Sequence, residues 1–358
     1  MKLLIAGGGT GGHVFPAIAV AQEWLRRGSN REVLLVGTER GLEMKLVPQA
    51  GLPLATIRSA GLKGIGGMKL VRNFAMLGPS MLDSASIVRR NKFVAAFGVG
   101  GYASGPMMLA AVLARVPTVI FEPNAAPGFT NKVLARMVTR IATAYDATAQ
   151  MWGRKASVTG IPVRREFFSL PPRDPRGARP LRLLITGGSQ GALPINRAFV
   201  DSMDVLAKRK NELSIVHQTG ERDYNAVRTA YARREILAEV VPFIANMAEQ
   251  FARADLIVCR SGAITTAEVA AAGRAAIFIP FAGATDSHQL RNAQALVQQD
   301  AARLIPQSDL SPERLTGEIF ALLDRPDELE RLETNARALA RPRAVEDMVD
   351  LIERVARP

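Results

Sequence analysis

The feature that most constrains the fold is a short pattern that the chain carries twice. The first copy, "LLIAGGGTGG", spans residues 3–12, and the second, "LLITGGSQGA", spans residues 183–192. In each copy an apolar run leads into a glycine-rich turn, which predicts a buried strand that ends just before a helix. The repeat predicts two halves with one shared architecture.

Further apolar runs alternate with helical patterns along both halves. They are continuous, as expected for parallel strands that are buried on both faces. The predicted strands are 2–6, 33–36, 54–57, 93–97, 118–121 and 141–144, then the run of the second copy, 214–218, 240–243, 256–259, 276–280 and 302–305. A helix is predicted over 16–27, with Pro16 in its first turn. This alternation predicts an α/β chain with two doubly wound, Rossmann-like parallel-sheet domains that face each other across a cleft.

A proline-rich stretch without periodicity, "SLPPRDPRGARP", separates the halves at residues 169–180. We therefore predict a first domain over 1–165, a linker over 166–180 and a second domain over 181–341. One more helical pattern follows the second domain, and we expect this helix, 342–358, to pack back on the first.

The net charge of +13 is concentrated in the first half of the chain. Residues 1–170 contain 21 Lys and Arg against 8 Asp and Glu, whereas residues 171–358 contain 25 of each. The first half is therefore expected to meet an anionic partner: phosphates, nucleic acid or an acidic lipid surface. Nucleic acid is the weakest of these, since aromatic residues make up 6% and no nucleic-acid motif occurs.

Composition excludes several classes. The single cysteine, Cys259, rules out an internal disulfide and a cysteine-based zinc site. The longest apolar stretch, 106–114, is too short to cross a bilayer, and the first apolar run stops too early for a signal peptide. A cytoplasmic protein fits these observations.

The first glycine turn allows two interpretations. Gly7, Gly9 and Gly12 match the G-x-G-x-x-G pattern of dinucleotide sites, and Glu39 is a rough match to the acid that such sites place after the second strand. However, His13 is not typical of that pattern. Two more glycine turns, at 97–106 and 186–192, suit a ligand pair with several phosphates better than a single dinucleotide.

Two stretches of the second half carry groups suited to a nucleotide sugar. "CRSGAITTAEVAAAG", residues 259–273, places Glu268 in a largely apolar helix, where a carboxylate could accept two hydrogen bonds from a ribose diol. "FAGATDSHQLRNA", residues 281–293, contains the sugar-type hydrogen-bonding groups Asp286, His288, Gln289 and Asn292. The alternative for the second stretch is an ordinary polar helix start capped by Asp286.

The segment 61–92 combines six Lys and Arg with one acid among many apolar residues. Such a segment can lie on an anionic leaflet, and it can equally be a core helix with basic flanks.

The chain resembles the MurG family of bacterial N-acetylglucosaminyltransferases over essentially its full length. The resemblance is carried, in the family's order, by "GGGTGGHVFPA", "GTERGLE", "GGYASGP", "EPNAAPGFTNK", "TGIPVRREF", "GGSQGA", "HQTG", "PFIANM", "CRSGAITTAE" and "DSHQLRNA". It implies a GT-B fold and a metal-independent, inverting transfer from UDP-N-acetylglucosamine to lipid I, which gives lipid II and UDP, with no cofactor. It also implies peripheral binding to an anionic membrane surface at the cytoplasmic face of the inner membrane, and contact with other cell-wall synthesis or division proteins.

The resemblance also implies roles for individual residues. The donor-binding set is Thr10, Gly11, Gly12, Asn124, Arg164, Ser189, Ile244, Glu268 and Gln289. Within this set the resemblance places Arg164 and Ser189 near the donor diphosphate and Glu268 at the ribose diol. The set expected near the acceptor diphosphate is Gly9, Gly100, Gly101 and Tyr102. The first domain would then hold the acceptor, and the second domain the donor.

The acceptor hydroxyl needs a general base, and His13 is the first candidate because histidine titrates near neutral pH. Its rival roles are to position the acceptor or to cap the glycine turn, and Glu122 is the second candidate base. His217 follows a strand pattern and is expected to be structural. A related transferase with another lipid acceptor or sugar donor, such as a diacylglycerol galactosyltransferase, is the alternative function.

Overall fold

The computed structural model describes residues 1–58, 77–171, 179–284 and 287–356. The chain divides into two compact units: Met1–Pro162 with Arg343–Pro358, and Val163–Pro342. The first unit thus ends three residues before the predicted boundary, so Arg164 belongs to the second unit. Most of the predicted linker, residues 172–178, lies outside the described residues.

The first unit is built on a seven-stranded parallel sheet in the order β3-β2-β1-β4-β5-β6-β7. Its strands are β1 Lys2–Gly7, β2 Glu32–Thr38, β3 Leu54–Ile57, β4 Phe93–Gly100, β5 Thr118–Glu122, β6 Arg140–Thr143 and β7 Ala156–Val158. The α-helices are α1 Gly11–Arg26, α2 Glu43–Gln49, α3 Leu77–Arg90, α4 Ser104–Leu113, α5 Phe129–Leu134, α6 Asp146–Trp152 and, from the end of the chain, α15 Ala344–Ala356.

The second unit repeats this plan with six parallel strands in the order β10-β9-β8-β11-β12-β13. Its strands are β8 Leu181–Thr186, β9 Leu213–Gln218, β10 Ala238–Val241, β11 Leu256–Cys259, β12 Ala275–Phe278 and β13 Arg303–Leu304. The α-helices are α7 Leu193–Asp201, α8 Met203–Ala207, α9 Tyr224–Arg233, α10 Met247–Arg253, α11 Ala263–Ala272, α12 His288–Val297, α13 Pro312–Leu323 and α14 Pro326–Ala338.

The strand order fixes where ligands can bind. In each unit the chain reverses its winding direction between the first and fourth strands, β1 and β4 or β8 and β11. Doubly wound sheets bind ligands at this switch point, beyond the carboxyl ends of the strands. Gly7 of β1 pairs with Gly100 of β4 there, and Thr186 of β8 pairs with Cys259 of β11.

The start of the first helix was predicted wrongly. α1 begins at Gly11, five residues before Pro16, so the proline lies inside the helix. The two glycines form its first turn because the carbonyl of Thr10 accepts the N–H groups of His13 and Val14, at 3.0 and 3.1 Å. This earlier start places His13 on the first turn of α1.

Helix α15 packs on α1 and on β4, β5 and β6 of the first unit. Its apolar residues Met348 and Ile352 are buried. Arg27, directly after α1, donates to Asp350 at 2.6 Å, and Arg31 donates to Glu353 at 2.6 Å. The last helix thereby completes the core of the first unit.

Within the described residues, no helix is long and apolar enough to span a bilayer.

Candidate functional site

In the first unit His13 lies beside both predicted glycine turns. Its Nδ1 is 3.3 Å from the hydroxyl of Thr10, and its ring packs over Gly100, where an added Cβ would lie 2.9 Å from Nε2. Burial lowers the pKa of His13 below its usual range, although the backbone of Gly8 and the charge of Glu43 act in the opposite direction. The imidazole is therefore neutral at pH 7, as a general base must be.

The two turns touch each other through their backbones. Gly100 and Gly101 adopt φ angles of 98° and 82°, and a Cβ on Gly101 would collide with the backbone of Gly8. Only glycine allows this close approach, since side-chain-bearing residues rarely adopt such angles. Tyr102, which follows the pair, is exposed. The structure thus brings His13 together with the predicted acceptor residues.

Glu43 is the residue of this region that sequence reasoning missed. Its side chain is 1% exposed. One carboxylate oxygen accepts the N–H of Gly9 at 2.6 Å, and the other accepts the N–H and the hydroxyl of Thr38 at 2.8 and 3.0 Å. The motif "GTERGLE" contained the signal, but Glu39, the acid considered there, is exposed.

Glu122, the second candidate base, holds a loop in place. It ends β5 and is 1% exposed. Its Oε1 accepts the backbone and side-chain N–H groups of Asn124, both at 3.0 Å, and its Oε2 accepts from Gly128 and Asn131 at 3.0 and 2.9 Å. Burial raises its pKa while these hydrogen bonds lower it. Because both oxygens are engaged, the geometry favours His13 as the base and Glu122 as the group that orients Asn124.

In the second unit, the turn that joins β8 to α7 is braced by neutral groups. Thr186 donates its hydroxyl to Gln218 at 2.8 Å and accepts the N–H of Gly188 at 3.2 Å, while the amide of Gln218 donates to the carbonyl of Gly188 at 3.3 Å. Ser189, at the tip of the turn, is exposed. The turn therefore holds Ser189, the residue predicted to bind the diphosphate, at the surface on a fixed backbone.

Arg164 and Glu268, predicted to bind different parts of the donor, lie together. Nη2 of Arg164 is 3.6 Å from Oε1 of Glu268, and the guanidinium packs over Phe167 with 4.9 Å to the ring centroid. Burial raises the pKa of Glu268 to about 7, which the charge of Arg164 partly opposes. This corner of the second unit therefore pairs a partly exposed cation with an acid that titrates near neutral pH.

Gln289 and Ile244 complete the described donor set. Gln289, on the first turn of α12, accepts the N–H of Phe281 with its side-chain oxygen at 2.9 Å and the hydroxyl of Ser261 with its carbonyl at 2.8 Å. Ile244 follows β10 and is buried. Asp286, the alternative helix cap, lies outside the described residues.

His217 is enclosed in a polar network beneath the β8–α7 turn. It is fully buried between the hydroxyl of Tyr231, at 3.2 Å from Nδ1, and the side-chain oxygen of Asn196, at 3.1 Å from Nε2. Burial lowers its pKa to about 3. It is thus neutral and supports the fold, in keeping with the structural role expected from the sequence.

Among the described residues, no group of three or more His, Cys, Asp or Glu side chains is placed so that it could hold a metal ion.

Two family models match the chain. The glycosyltransferase family 28 N-terminal domain matches residues 3–143, and the glycosyltransferase family 28 C-terminal domain matches residues 182–354. The two matches fall in the first and second units respectively, apart from the last helix.

Two bacterial relatives are similar over nearly the whole chain. A protein of Myxococcus xanthus is 44% identical over 352 residues, which cover 98% of this chain and 92% of the relative. A protein of Geotalea uraniireducens is 44% identical over 358 residues, which cover 99% and 98%. Both are named UDP-N-acetylglucosamine–N-acetylmuramyl-(pentapeptide) pyrophosphoryl-undecaprenol N-acetylglucosamine transferase.

Solved structures of two other proteins are similar to this chain over nearly its full length. The crystal structure of Acinetobacter baumannii MurG is 33% identical, with a TM-score of 0.83 and 99% of both chains covered. A UDP-GlcNAc 2-epimerase from Neisseria meningitidis, solved with UDP-GlcNAc, has a TM-score of 0.71 at 12% identity, which shows a shared fold alone.

Proposed function

The chain belongs to the MurG family of N-acetylglucosamine transferases, and on that premise we propose that it transfers N-acetylglucosamine from UDP-N-acetylglucosamine to the muramyl 4-hydroxyl of lipid I. The products are lipid II and UDP, in peptidoglycan synthesis. The observation that carries the proposal is the 44% identity to transferases of that name over 98% of the chain. The GT-B fold, with two parallel-sheet units of 7 and 6 strands, agrees with it.

The donor is bound mainly by the second unit. Glu268 accepts hydrogen bonds from the ribose diol, the backbone of Ile244 meets uracil, and Gln289 binds the sugar hydroxyls. Because the side-chain oxygen of Gln289 already accepts from Phe281, its amide N–H groups face the sugar as donors. Asn124, Thr10, Gly11 and Gly12 contribute from the first unit.

The reaction is an inverting displacement without a metal ion. His13 takes the proton of the muramyl 4-hydroxyl, whose oxygen bonds to the anomeric carbon as the bond to UDP breaks. Arg164 and Ser189 stabilise the charge that develops on the leaving diphosphate, together with the positive end of a helix. The neutral state of His13, set by its burial, supports its role as base.

The acceptor diphosphate is held by Gly100, Gly101 and Tyr102. Gly9 was expected in the same set, but its N–H already donates to Glu43. A second anion at this N–H would lie against a buried carboxylate, which is unfavourable. We therefore assign the acceptor diphosphate to the β4–α4 turn alone.

The first unit works at the cytoplasmic face of the inner membrane as a peripheral protein. Leu82 of α3 and Leu113 of α4, two helices that pack together, are 71% and 70% exposed. α3 ends in Arg89 and Arg90. Exposed leucines on two packed helices, one of which ends in two arginines, suit an anionic lipid surface. Of the predicted membrane segment, residues 61–76 lie outside the described residues.

The first experiment measures UDP release from UDP-N-acetylglucosamine, with and without a lipid I analogue, for the wild type and His13→Ala. We expect acceptor-dependent release and a loss of kcat of about 10²-fold or more in the variant, because it lacks the base.

Each other outcome is informative. A variant that loses only acceptor affinity would make His13 a positioning group. If the wild type released no UDP with a competent acceptor, another donor or lipid acceptor would have to be sought within the same fold.

A further inference from the structure

Glu43 occupies a space that three glycines leave open for it. A Cβ on Gly8, Gly37 or Gly41 would collide with its side chain. These glycines come from the β1–α1 turn, from β2 and from the turn before α2. A buried carboxylate is costly unless it is fully hydrogen-bonded, and here three donors from two segments satisfy it. The arrangement therefore serves the carboxylate, since an apolar side chain would leave those donors unpaired.

The three hydrogen bonds join the end of β2 to the first glycine turn. One oxygen binds Thr38, the last residue of β2, and the other binds Gly9, at the centre of the turn. Gly9 adopts a φ angle of 93°, and nothing lies within 4 Å of where its Cβ would be. The turn is thus held from beneath, through its backbone, by this one carboxylate.

This anchored turn is in contact with His13. The backbone of Gly8 and the charge of Glu43 both act to raise the pKa of the imidazole, against its burial. The other groups around the ring, Thr10 and Gly100, are uncharged. Glu43 itself is too buried to touch a substrate.

We propose that Glu43 is a positioning residue for the transfer reaction: it fixes the turn that aims His13 at the acceptor hydroxyl, and its charge stabilises the imidazolium that forms when His13 takes the proton. This rests on the proposed function, in which His13 is the base. The arrangement also explains why a glycine turn of anion-binding type has a buried anion beneath it: the turn serves a proton acceptor.

The test is Glu43→Gln, which keeps the shape but turns an amide NH₂ toward the N–H of Gly9 or toward Thr38. We expect kcat to fall about 30-fold, with the KM for UDP-N-acetylglucosamine within about threefold of wild type, because the donor is bound mainly by the second unit. The His13 ring signal, followed by NMR without substrate, should titrate with a lower midpoint than in wild type. The chain has three histidines, and burial keeps His217 neutral. His13→Asn removes the signal of the His13 ring and thereby assigns it.

The matched control is Glu23→Gln. Glu23 is also a buried carboxylate of the first unit, bound by Arg26 and Arg27. Its loss should lower stability but leave both kcat and the His13 titration unchanged. The NMR titration needs no catalysis, so it still tests Glu43 if the transferase assay fails.

If Glu43→Gln does not fold, Thr38→Val removes only one hydroxyl donor from the carboxylate and should lower kcat several-fold at unchanged donor KM. The proposal is overturned if Glu43→Gln keeps wild-type kcat and an unchanged His13 midpoint. It is equally overturned if Thr38→Val keeps full kcat while Glu43→Gln fails to fold, since Glu43 would then serve stability alone.

Discussion

The β1–α1 turn and the β8–α7 turn occupy equivalent positions in their units, but different side chains hydrogen-bond to their backbones. Each follows the first strand of its sheet and precedes a helix, and each is closed by glycines at positive φ. Under the first turn lies the carboxylate of Glu43, whereas the second is braced by the neutral side chains of Thr186 and Gln218.

This difference separates the chemistry of the two turns. A buried carboxylate makes the first turn a poor place for a second anion, but it favours the protonated form of a neighbouring histidine. A neutral brace adds no repulsion, so Ser189 can meet a diphosphate. Glycine patterns indicate where a ligand can approach the backbone. The charge of the side chains packed against the turn then determines whether an anion is favoured there.

The largest expected effect concerns one glycine packed against the β1–α1 turn and one glycine within the β8–α7 turn. Gly101→Ala would place a Cβ on the backbone of Gly8, whereas Gly188, at a φ angle of 87°, has nothing within 4 Å of where its Cβ would be. We expect Gly101→Ala to lower the free energy of unfolding of the first unit by about 3 kcal/mol or more, and Gly188→Ala to cost the second about 1 kcal/mol. Denaturant unfolding of both variants measures this. Equal losses would mean that the close approach of Gly101 to the backbone of Gly8 adds nothing to the free energy of unfolding.

The next effect separates the two units by ligand. Arg164→Met should weaken UDP binding about 30-fold, because the charged hydrogen-bond partner proposed for the diphosphate is lost. His13→Ala, in the first unit, should change the UDP affinity by less than about twofold. Isothermal titration calorimetry of the two variants compares them. If His13→Ala weakened UDP binding as much as Arg164→Met, the proposed division of roles between the two units would be wrong.

The smallest effect compares two acids, Glu43 and Glu268, whose pKa values are shifted in opposite directions. Hydrogen bonds from Gly9 and Thr38 keep the pKa of Glu43 low against its burial, whereas burial raises that of Glu268 to about 7. Since the ionised carboxylate is the stronger acceptor for ribose hydroxyls, UDP affinity should rise about tenfold from pH 6 to pH 8. Glu268→Gln removes this ionisation and supplies the baseline for the titration of UDP itself. Parallel pH profiles in the two proteins would show that Glu268 does not bind the nucleotide in its ionised form.

The architecture could be predicted from the sequence because buried parallel strands are continuous apolar runs. Each predicted run overlaps a strand of the structure. β7, an edge strand of three residues, was missed because Ala156–Val158 contains no such run. The start of α1 was misplaced because glycines suggest a turn, although here they begin the helix.

The groups beneath the turns could not be predicted in the same way. Glu43 lies beyond β2, at the start of α2, and only the pairing of β1 with β2 brings it under Gly9. The contact between Arg164 and Glu268 likewise joins positions far apart in the chain. Such pairs depend on tertiary packing, which the spacing of motifs does not record.

The position of α15 in the chain has a consequence for folding during synthesis. This helix is translated after the whole second unit, yet it covers the apolar faces of α1, β4, β5 and β6. The second unit can fold as a continuous segment while the first still exposes part of its core. A ribosome-bound intermediate of this protein should therefore have a folded second unit and a first unit that still exposes apolar surface. Chaperones would bind the first unit.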